Sequence, residues 1–479
     1  MVKKITKLRL NSILKTRGKG LILHSVYLSF STMKNPFIPA LFCMMMLSQF
    51  AVAQSKESGV NSTETKPPMF GINFSGFVNT DIFYDTRQTV MARDGDWLFY
   101  PENVKKDADG KDINAKGTFD ILSILTRVSG NITGPEIFKA KTSGLIEGEF
   151  YGNVPANINT FRLRHAYVKL SWTKTELLFG QYWHPMFVTT CYPETISLNT
   201  GAPFLVFSRN PQIRVTRLLG NFKLILAAIS QVDATSTGPE GPSTRYLRQS
   251  VLPELNFQLQ FSIKNEKKKT EFLIGASVDF LMLTPRISTE VINRAAYDTV
   301  INNLVVHHDA VVSIYKTNEK ATSIIANFFT KLQLPKVTIK AGGVYGGNCY
   351  ALNMIGGYAV KSMVDPAKGS VDYTSIRTAS VWADFKTNGA KWSPGIYGGF
   401  SKNLGAASEF IGPIYSRGSN IDYLYRIAPR LSLTVKKLKF ATELDYTVAA
   451  YGTTNKKGYV SNSKEVGNLR ILFSVFYYF

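Results

Sequence analysis

Asn468-Leu469-Arg470-Ile471-Leu472-Phe473-Ser474-Val475-Phe476-Tyr477-Tyr478-Phe479 closes the chain. Leu469, Ile471, Phe473, Val475, Tyr477 and Phe479 fall on one face of this segment, and Asn468, Arg470 and Ser474 fall on the other. Successive side chains of a strand point to opposite faces, so the segment reads as a strand with one apolar and one polar side. The same period recurs upstream. In 251–261, Glu254, Asn256, Gln258 and Gln260 oppose Leu255, Phe257, Leu259 and Phe261. In 271–280, Phe272, Ile274, Ala276, Val278 and Phe280 oppose Glu271, Gly275, Ser277 and Asp279. In 438–448, Phe440, Leu444, Tyr446 and Val448 oppose Glu443, Asp445 and Thr447. No apolar run is long enough for a membrane-spanning helix. In lipid, backbone groups find no water to bond, so alternating strands must close on themselves. The expected fold class is therefore all-β: a transmembrane antiparallel β-barrel, polar face to water and apolar face to lipid.

Counting strands from Phe70 onward, short turns fall near 133–138, 174–175, 220–221, 264–269, 335, 388–390 and 436–437. Longer loops fall near 86–116, 152–160, 184–210, 232–250, 284–320, 347–371, 402–420 and 452–466. Those connections predict sixteen strands, with both termini on the short-turn, periplasmic side. An additional strand pairing within 303–316 would raise the count to eighteen. A barrel of sixteen strands is wide enough for an aqueous channel.

The N-terminal region reads as an export signal. Lys34 follows Met33, residues Pro36 to Phe50 are largely apolar, and Ala51-Val52-Ala53 makes a small-x-small cleavage site before Gln54. Residues 1–53 are expected to leave as a signal peptide. Within them, 1–32 reads as an extension ahead of a true start at Met33, or alternatively as a long basic leader. Residues 54–69, with Pro67-Pro68, read as a periplasmic linker, and 70–479 as the barrel. The full chain has 56 basic and 34 acidic residues, and eight of the basic ones precede Gln54, which leaves 48 against 34 and a net of +14. Basic balance can signal nucleic-acid binding, but export and barrel patterning exclude it. Part of the excess lies in expected turns, as at Lys264, Lys267, Lys268, Lys269, Lys436 and Lys437. Cys191 and Cys349 lie in expected long loops. An oxidising compartment permits their pairing, but spacing alone does not decide it.

Strand phasing points Arg127, Arg162, Arg164, Arg214, Lys340, Arg426, Arg430 and Arg470 toward the lumen. A bare arginine facing lipid near the midplane costs roughly 2–4 kcal/mol, which favours this placement. The arginines lie on strands 2, 4, 6, 14 and 16, an arc that would attract anions. Asp81, Glu147, Glu149, Glu254, Asp279, Glu443 and Asp445 point inward on the same phasing. Glu147 and Glu149 face Arg162 and Arg164 across a hairpin, so pairing would brace the wall and weaken selectivity. Loop 184–210, with Phe187, Tyr192, Phe204 and Phe207, is apolar enough to seek cover, either inside the barrel as a constriction or against a neighbouring subunit.

No catalytic or metal-binding constellation is expected, and no cofactor. His307-His308 would face opposite ways on a strand, and His165 has no serine at strand spacing. The glycines at 342–347 follow a strand and enter a loop, unlike a phosphate-binding loop.

Three stretches carry a family resemblance: Gly76-Phe77-Val78-Asn79-Thr80-Asp81-Ile82-Phe83-Tyr84-Asp85-Thr86, Arg162-Leu163-Arg164-His165-Ala166-Tyr167-Val168-Lys169-Leu170 and Leu178-Phe179-Gly180-Gln181-Tyr182-Trp183-His184-Pro185. They resemble the DcaP-like porins and, more loosely, the phosphate-selective porins. The resemblance covers roughly 70–215 by motif and the rest by architecture. It implies a sixteen-stranded homotrimeric porin of the Gram-negative outer membrane that favours small anionic solutes. Family members often carry a helical segment before the barrel, and 54–69 is short and Pro-rich for one. The resulting expectation is a passive diffusion porin and not an enzyme. Its partners would be outer-membrane lipid and the barrel-assembly machinery, which reads the terminal aromatic strand. The alternative is a non-conducting barrel serving as adhesin or structural surface protein.

Overall fold

The computed structural model of the protein describes residues 70–152 and 155–479. The expected signal segment 1–53 and linker 54–69 lie outside the described residues. Sixteen antiparallel strands form the wall: β1 (Gly71–Asp85), β2 (Thr118–Leu122, resuming as Arg127–Thr133), β3 (Lys141–Glu149), β4 (Arg162–Ser171), β5 (Thr175–Trp183), β6 (Arg209–Leu219), β7 (Phe222–Ile229), β8 (Glu254–Asn265), β9 (Thr270–Leu283), β10 (Ala321–Gln333), β11 (Val337–Gly347), β12 (Ser370–Thr387), β13 (Trp392–Ala406), β14 (Ile421–Val435), β15 (Leu438–Thr454) and β16 (Val460–Tyr478). Each pairs with the next, and β1 pairs back to β16 from Phe77 opposite Tyr478 to Asp85 opposite Arg470. That last ladder removes the sheet edges and so satisfies the backbone in lipid.

The wall shows why period-two sequences fold this way. Along β8, Phe257 is 47% exposed and Gln258 only 1%. Apolar side chains such as Val78, Val168, Ile213, Val278 and Phe328 face outward around the barrel. An apolar belt of that kind is stable only against a bilayer. Polar side chains turn inward, where they meet one another and two inserted loops.

Seven short turns join the strands at one end. The tightest is Gly220-Asn221, where Gly220 has φ +63°, as the first position of a II′ hairpin turn demands. At the other end the connections are longer. Strand-forming residues do occur within 303–316, as Leu304–His308 and Val311–Lys316. They pair with Tyr297–Ile301 and Ser288–Arg294 in a protruding arm and not with the wall. The barrel therefore stays at sixteen strands, and the eighteen-strand alternative is set aside. Gly356–Asp365 likewise extends the upper part of β12 beyond the wall.

Two loops fold into the lumen. The hairpin of Thr89–Ala92 with Trp97–Pro101 brings Trp97 to Tyr100 inside, all buried. Loop 184–208 crosses the barrel and buries Phe187, Phe204 and Phe207. Together with Trp382, Tyr397 and wall residues they form the main apolar cluster. Inward folding thus covers the loop's aromatic side chains within its own barrel.

Candidate conduction route

The densest charge cluster grows out of a register shift. Glu147 pairs with His165, but Gly148 pairs with Leu163, so Arg164 is the extra residue of a β-bulge. Leu163 still faces outward at 50% exposure, whereas Arg164 and His165 are both buried inside. Glu149, on the facing strand, collects Arg127 (2.8 Å), Arg162 (3.0 Å), Arg164 (3.0 Å) and Arg209 (3.5 Å). Glu147 pairs with Arg164 at 2.7 Å and accepts from the Ser129 hydroxyl at 2.7 Å. Arg162 and Arg209 share Asp233 at 2.9 and 3.1 Å. Sequence phasing missed Arg209. Asn210, Gln212 and Arg214 are buried on alternate positions of β6, which leaves Arg209 out of phase. It points inward because it sits where the strand meets the inserted loop.

The other anticipated side chains also face inward, with different partners. Arg214 donates from Nε to Gln212 at 2.9 Å and lies over the Tyr182 ring. Lys340 pairs with Glu194 at 2.6 Å, and Arg430 grips Asp384 through two bonds of 2.7 and 3.0 Å. Asp81 accepts from Asn79 at 3.1 Å and from the Ser474 hydroxyl. Arg426 and Arg470 require a correction. Their side chains are 0% and 1% exposed, so they are sealed beneath the inserted loops and do not face lumen solvent. Arg470 pairs with Asp85 at 2.6 Å and bonds the Gly95 carbonyl. Arg426 meets Asp445 at 3.1 Å and donates to the carbonyls of Ala202, Leu98 and Phe99. The physical reason is that both inserted loops present backbone acceptors, which a buried guanidinium satisfies better than water held in a narrow gap.

The crossing loop is pinned along its length. Gln258 donates to the Pro185 carbonyl (2.8 Å) and Asn327 to the Met186 carbonyl (2.9 Å). Glu443 accepts the Ile196 and Ser197 backbone N–H groups at 2.8 and 3.1 Å. Tyr397 donates to the Gly201 carbonyl at 2.9 Å, and Ser380 to that of Phe204 at 2.6 Å. Burial works to raise the Glu194 carboxyl, but Lys340 and Lys386 overcome it and hold the group down at about 2.

His184 anchors the loop's start, unforeseen from sequence. The Met186 backbone N–H donates to its Nδ1 (3.2 Å), so Nε2 carries the proton that faces Glu254 (2.9 Å) and Asp279 (3.5 Å). The trio clamps the start of the crossing loop to β8 and β9. Cys191 and Cys349 are free thiols in separate apolar clusters, which settles the open question of their pairing against a disulfide. Burial pushes both thiols up to about 12, so neither is a nucleophile.

Three cavities follow one another down the lumen. The upper one, about 360 Å³, is lined by Arg93, Arg162, Arg209 and Arg417 with Asp233 as its acid, and by Trp97, Phe99, Trp183 and Phe207. The middle one, about 490 Å³, shares Trp183 and Phe207 with it and adds Arg127, Arg164, His165 and Lys439 against Glu147. The lower one, about 530 Å³, shares Tyr192, Thr195, Ile196 and Lys439 with the middle one and adds Arg430 and Lys386 against Glu194. It opens beside the short turn 388–391. Each cavity thus carries more basic than acidic side chains.

Neither a protein-family model nor a curated protein sequence matches this chain. Solved structures do. The outer membrane channel DcaP of Acinetobacter baumannii superposes with a TM-score of 0.60 at 17% identity, over 86% of this chain and 97% of that one. The protein has a DcaP-like porin fold. Looser likenesses are OmpT of Vibrio cholerae (TM-score 0.47, 10% identity, 87% and 99% of the two chains) and the anion-selective porin from Comamonas acidovorans (TM-score 0.44, 10% identity, 86% and 100%). The porin fold agrees with the motif resemblance of residues 70–215 and extends it across the barrel.

Proposed function

We propose that this barrel is a porin of the Gram-negative outer membrane, through which small hydrophilic solutes diffuse passively with a preference for anions. The observation that carries the reading is the basic excess in all three successive cavities. Low-dielectric walls focus the field of such charges into the passage and raise the local concentration of anions. Arg127, Arg162, Arg164 and Arg430, with Lys386 and Lys439, are the residues assigned to this steering. Arg214 borders a side cavity, and Lys340 braces the crossing loop. Asp81, Glu147 and Glu149 are counter-charges that hold the wall in shape. The proposal includes insertion through the C-terminal strand by the barrel-assembly machinery and assembly as a homotrimer, which crosslinking of the folded protein would count.

A second reading has one observation in its favour. An aromatic cluster built from both inserted loops packs inside the barrel, as a plugged adhesin or structural barrel would require. Planar-bilayer recording under a salt gradient separates the two. A porin gives discrete conductance steps and a reversal potential on the anion side. Silent bilayers with correctly folded protein would favour the plugged barrel, and a cation-side potential would reject the anion preference alone.

A further inference from the structure

We infer that His184, Glu254 and Asp279 form a binding site for a divalent transition-metal ion, zinc foremost, which fastens the crossing loop to the barrel wall. Three distant segments bring the trio together. His184 follows the end of β5 and opens the crossing loop, Glu254 begins β8, and Asp279 lies near the outer end of β9. One nitrogen or oxygen of each lies within 4.8 Å of the other two. The ring Nε2 stands 2.9 Å from Glu254 Oε1 and 3.5 Å from Asp279 Oδ1. Zinc holds nitrogen and carboxylate oxygen at about 2.1 Å, which sets adjacent ligands about 3.0 Å apart in an octahedron and about 3.4 Å apart in a tetrahedron. The two spacings around Nε2 have the size of such edges.

Charge is the stronger argument. The three residues are 1%, 2% and 0% exposed, so neither carboxylate is solvated. Among the described residues, no lysine or arginine pairs with Glu254 or Asp279, and His184 is the partner of both. The ring is neutral, because its Nδ1 accepts the Met186 N–H. A charged ring would turn an Nδ1 proton onto that N–H, and would still offset only one of the two charges. Buried charges are paired or coordinate metals. Polar atoms are also left over. Asp279 Oδ2 and Asn256 Oδ1 are buried without a hydrogen-bond partner. Asn256 donates from Nδ2 to Asp279 Oδ1 at 3.0 Å, so its amide faces the site. Oxygens that meet no donor are what a cation satisfies.

Loading balances within the ring. The Nε2 proton moves to Nδ1, which frees the Nε2 lone pair for the ion and gives up the 3.2 Å contact with the Met186 N–H. One hydrogen bond is exchanged for the compensation of two buried charges. Gln231 donates to Glu254 Oε2 at 3.0 Å and leaves Oε1 to the ion. One imidazole with two carboxylates is a nitrogen–oxygen set, which suits zinc better than calcium.

The test uses the full-length barrel, refolded in detergent with zinc or calcium chloride and then gel-filtered. His307→Ala/His308→Ala is the background, because those histidines lie on the exposed arm, where His307 pairs with Asp298 and offers zinc a second place. The readouts are metal per chain by mass spectrometry and the temperature of heat modification. The background barrel is expected to retain about one zinc per chain and to unfold at a higher temperature with zinc than without. Asp279→Asn and His184→Gln should lose the zinc, and Asn256→Ala, which orients Asp279, should weaken it roughly ten- to a hundred-fold. A folded background barrel that retains no zinc, or folded Asp279→Asn and His184→Gln barrels that retain it in full, would overturn the site. Calcium retained in preference to zinc would overturn the transition-metal assignment. If neither ligand variant folds, cobalt(II) in the background barrel decides: a visible absorption band from nitrogen–oxygen coordination supports the site, and its absence overturns it.

Discussion

Replacing Arg426 with Leu should release both inserted loops while the barrel itself persists. The guanidinium reaches the Ala202 carbonyl of the crossing loop at 2.9 Å, and the Leu98 and Phe99 carbonyls of the first loop at 3.3 and 3.0 Å. It also donates to Thr447 Oγ1 at 2.7 Å and pairs with Asp445 at 3.1 Å. Hydrogen bonds from a charged donor are worth about 1.5–3 kcal/mol each, so the three loop carbonyls together represent on the order of 5 kcal/mol of loop attachment. Stranding Asp445 as a buried unpaired charge adds about 3–5 kcal/mol of strain on the wall. Trypsin offers the assay, because Arg93 sits in the turn of the first inserted hairpin. Cleavage after Arg93 should accelerate by orders of magnitude, and channel conductance should rise. The double variant Arg426→Leu/Asp445→Leu removes both charges, so it should recover thermal stability yet remain cleavable. Parent-like cleavage and conductance in a folded Arg426→Leu barrel would show that apolar packing alone holds the loops, and the reasoning would fail.

Replacing Arg162 and Arg164 together with Ser should lower the anion-to-cation permeability ratio, most strongly at low salt, because screening limits lumen charges to about 10 Å at 0.1 M. Adding Glu147→Gln and Glu149→Gln should restore the ratio only in part, and an unchanged reversal potential in the arginine double variant would locate selectivity elsewhere. Phe479 exchanges backbone hydrogen bonds with Gly76 at 3.1 and 3.3 Å across the closing seam. Deleting it should cut the yield of heat-modifiable barrel while leaving export intact, and parent-level yield would contradict this. Glu194 has its carboxyl held at about 2, below the ordinary 4.5, by Lys340 and Lys386 against the opposing effect of burial. A depressed carboxylate stabilises the loop above pH 4.5 and loses that contribution as pH falls through about 2. The Glu194 contribution to conductance should therefore not change from pH 8 down to 4.5, and a step near 4.5 that vanishes in Glu194→Gln would refute the assignment.

Period-two alternation in segments such as 254–260 and 469–479 already determined the strand type and the inward or outward side of Arg127, Arg214, Glu443 and their neighbours. It did so because lipid penalises misplaced charge and unpaired backbone at every position independently, which makes the signal local. Turn residues such as Gly220-Asn221 marked the hairpins for the same reason. Local signals end where the strands leave the bilayer. The strands of 303–316 were legible as strands, but their pairing in an arm depended on partners at Ser288–Arg294 and Tyr297–Ile301. The bulge that turns both Arg164 and His165 inward, the out-of-phase Arg209, and the burial of Arg426 under two loops all depend on segments far away in the chain. So do the Glu149 cluster, with arginines from two strands and a loop boundary, and the contact of Trp183 with Phe207. Sequence fixes which side of a wall a residue faces because that choice is made against solvent. Only the folded chain decides whether an inward residue meets water or another loop, because that choice is made against whatever else has entered the lumen.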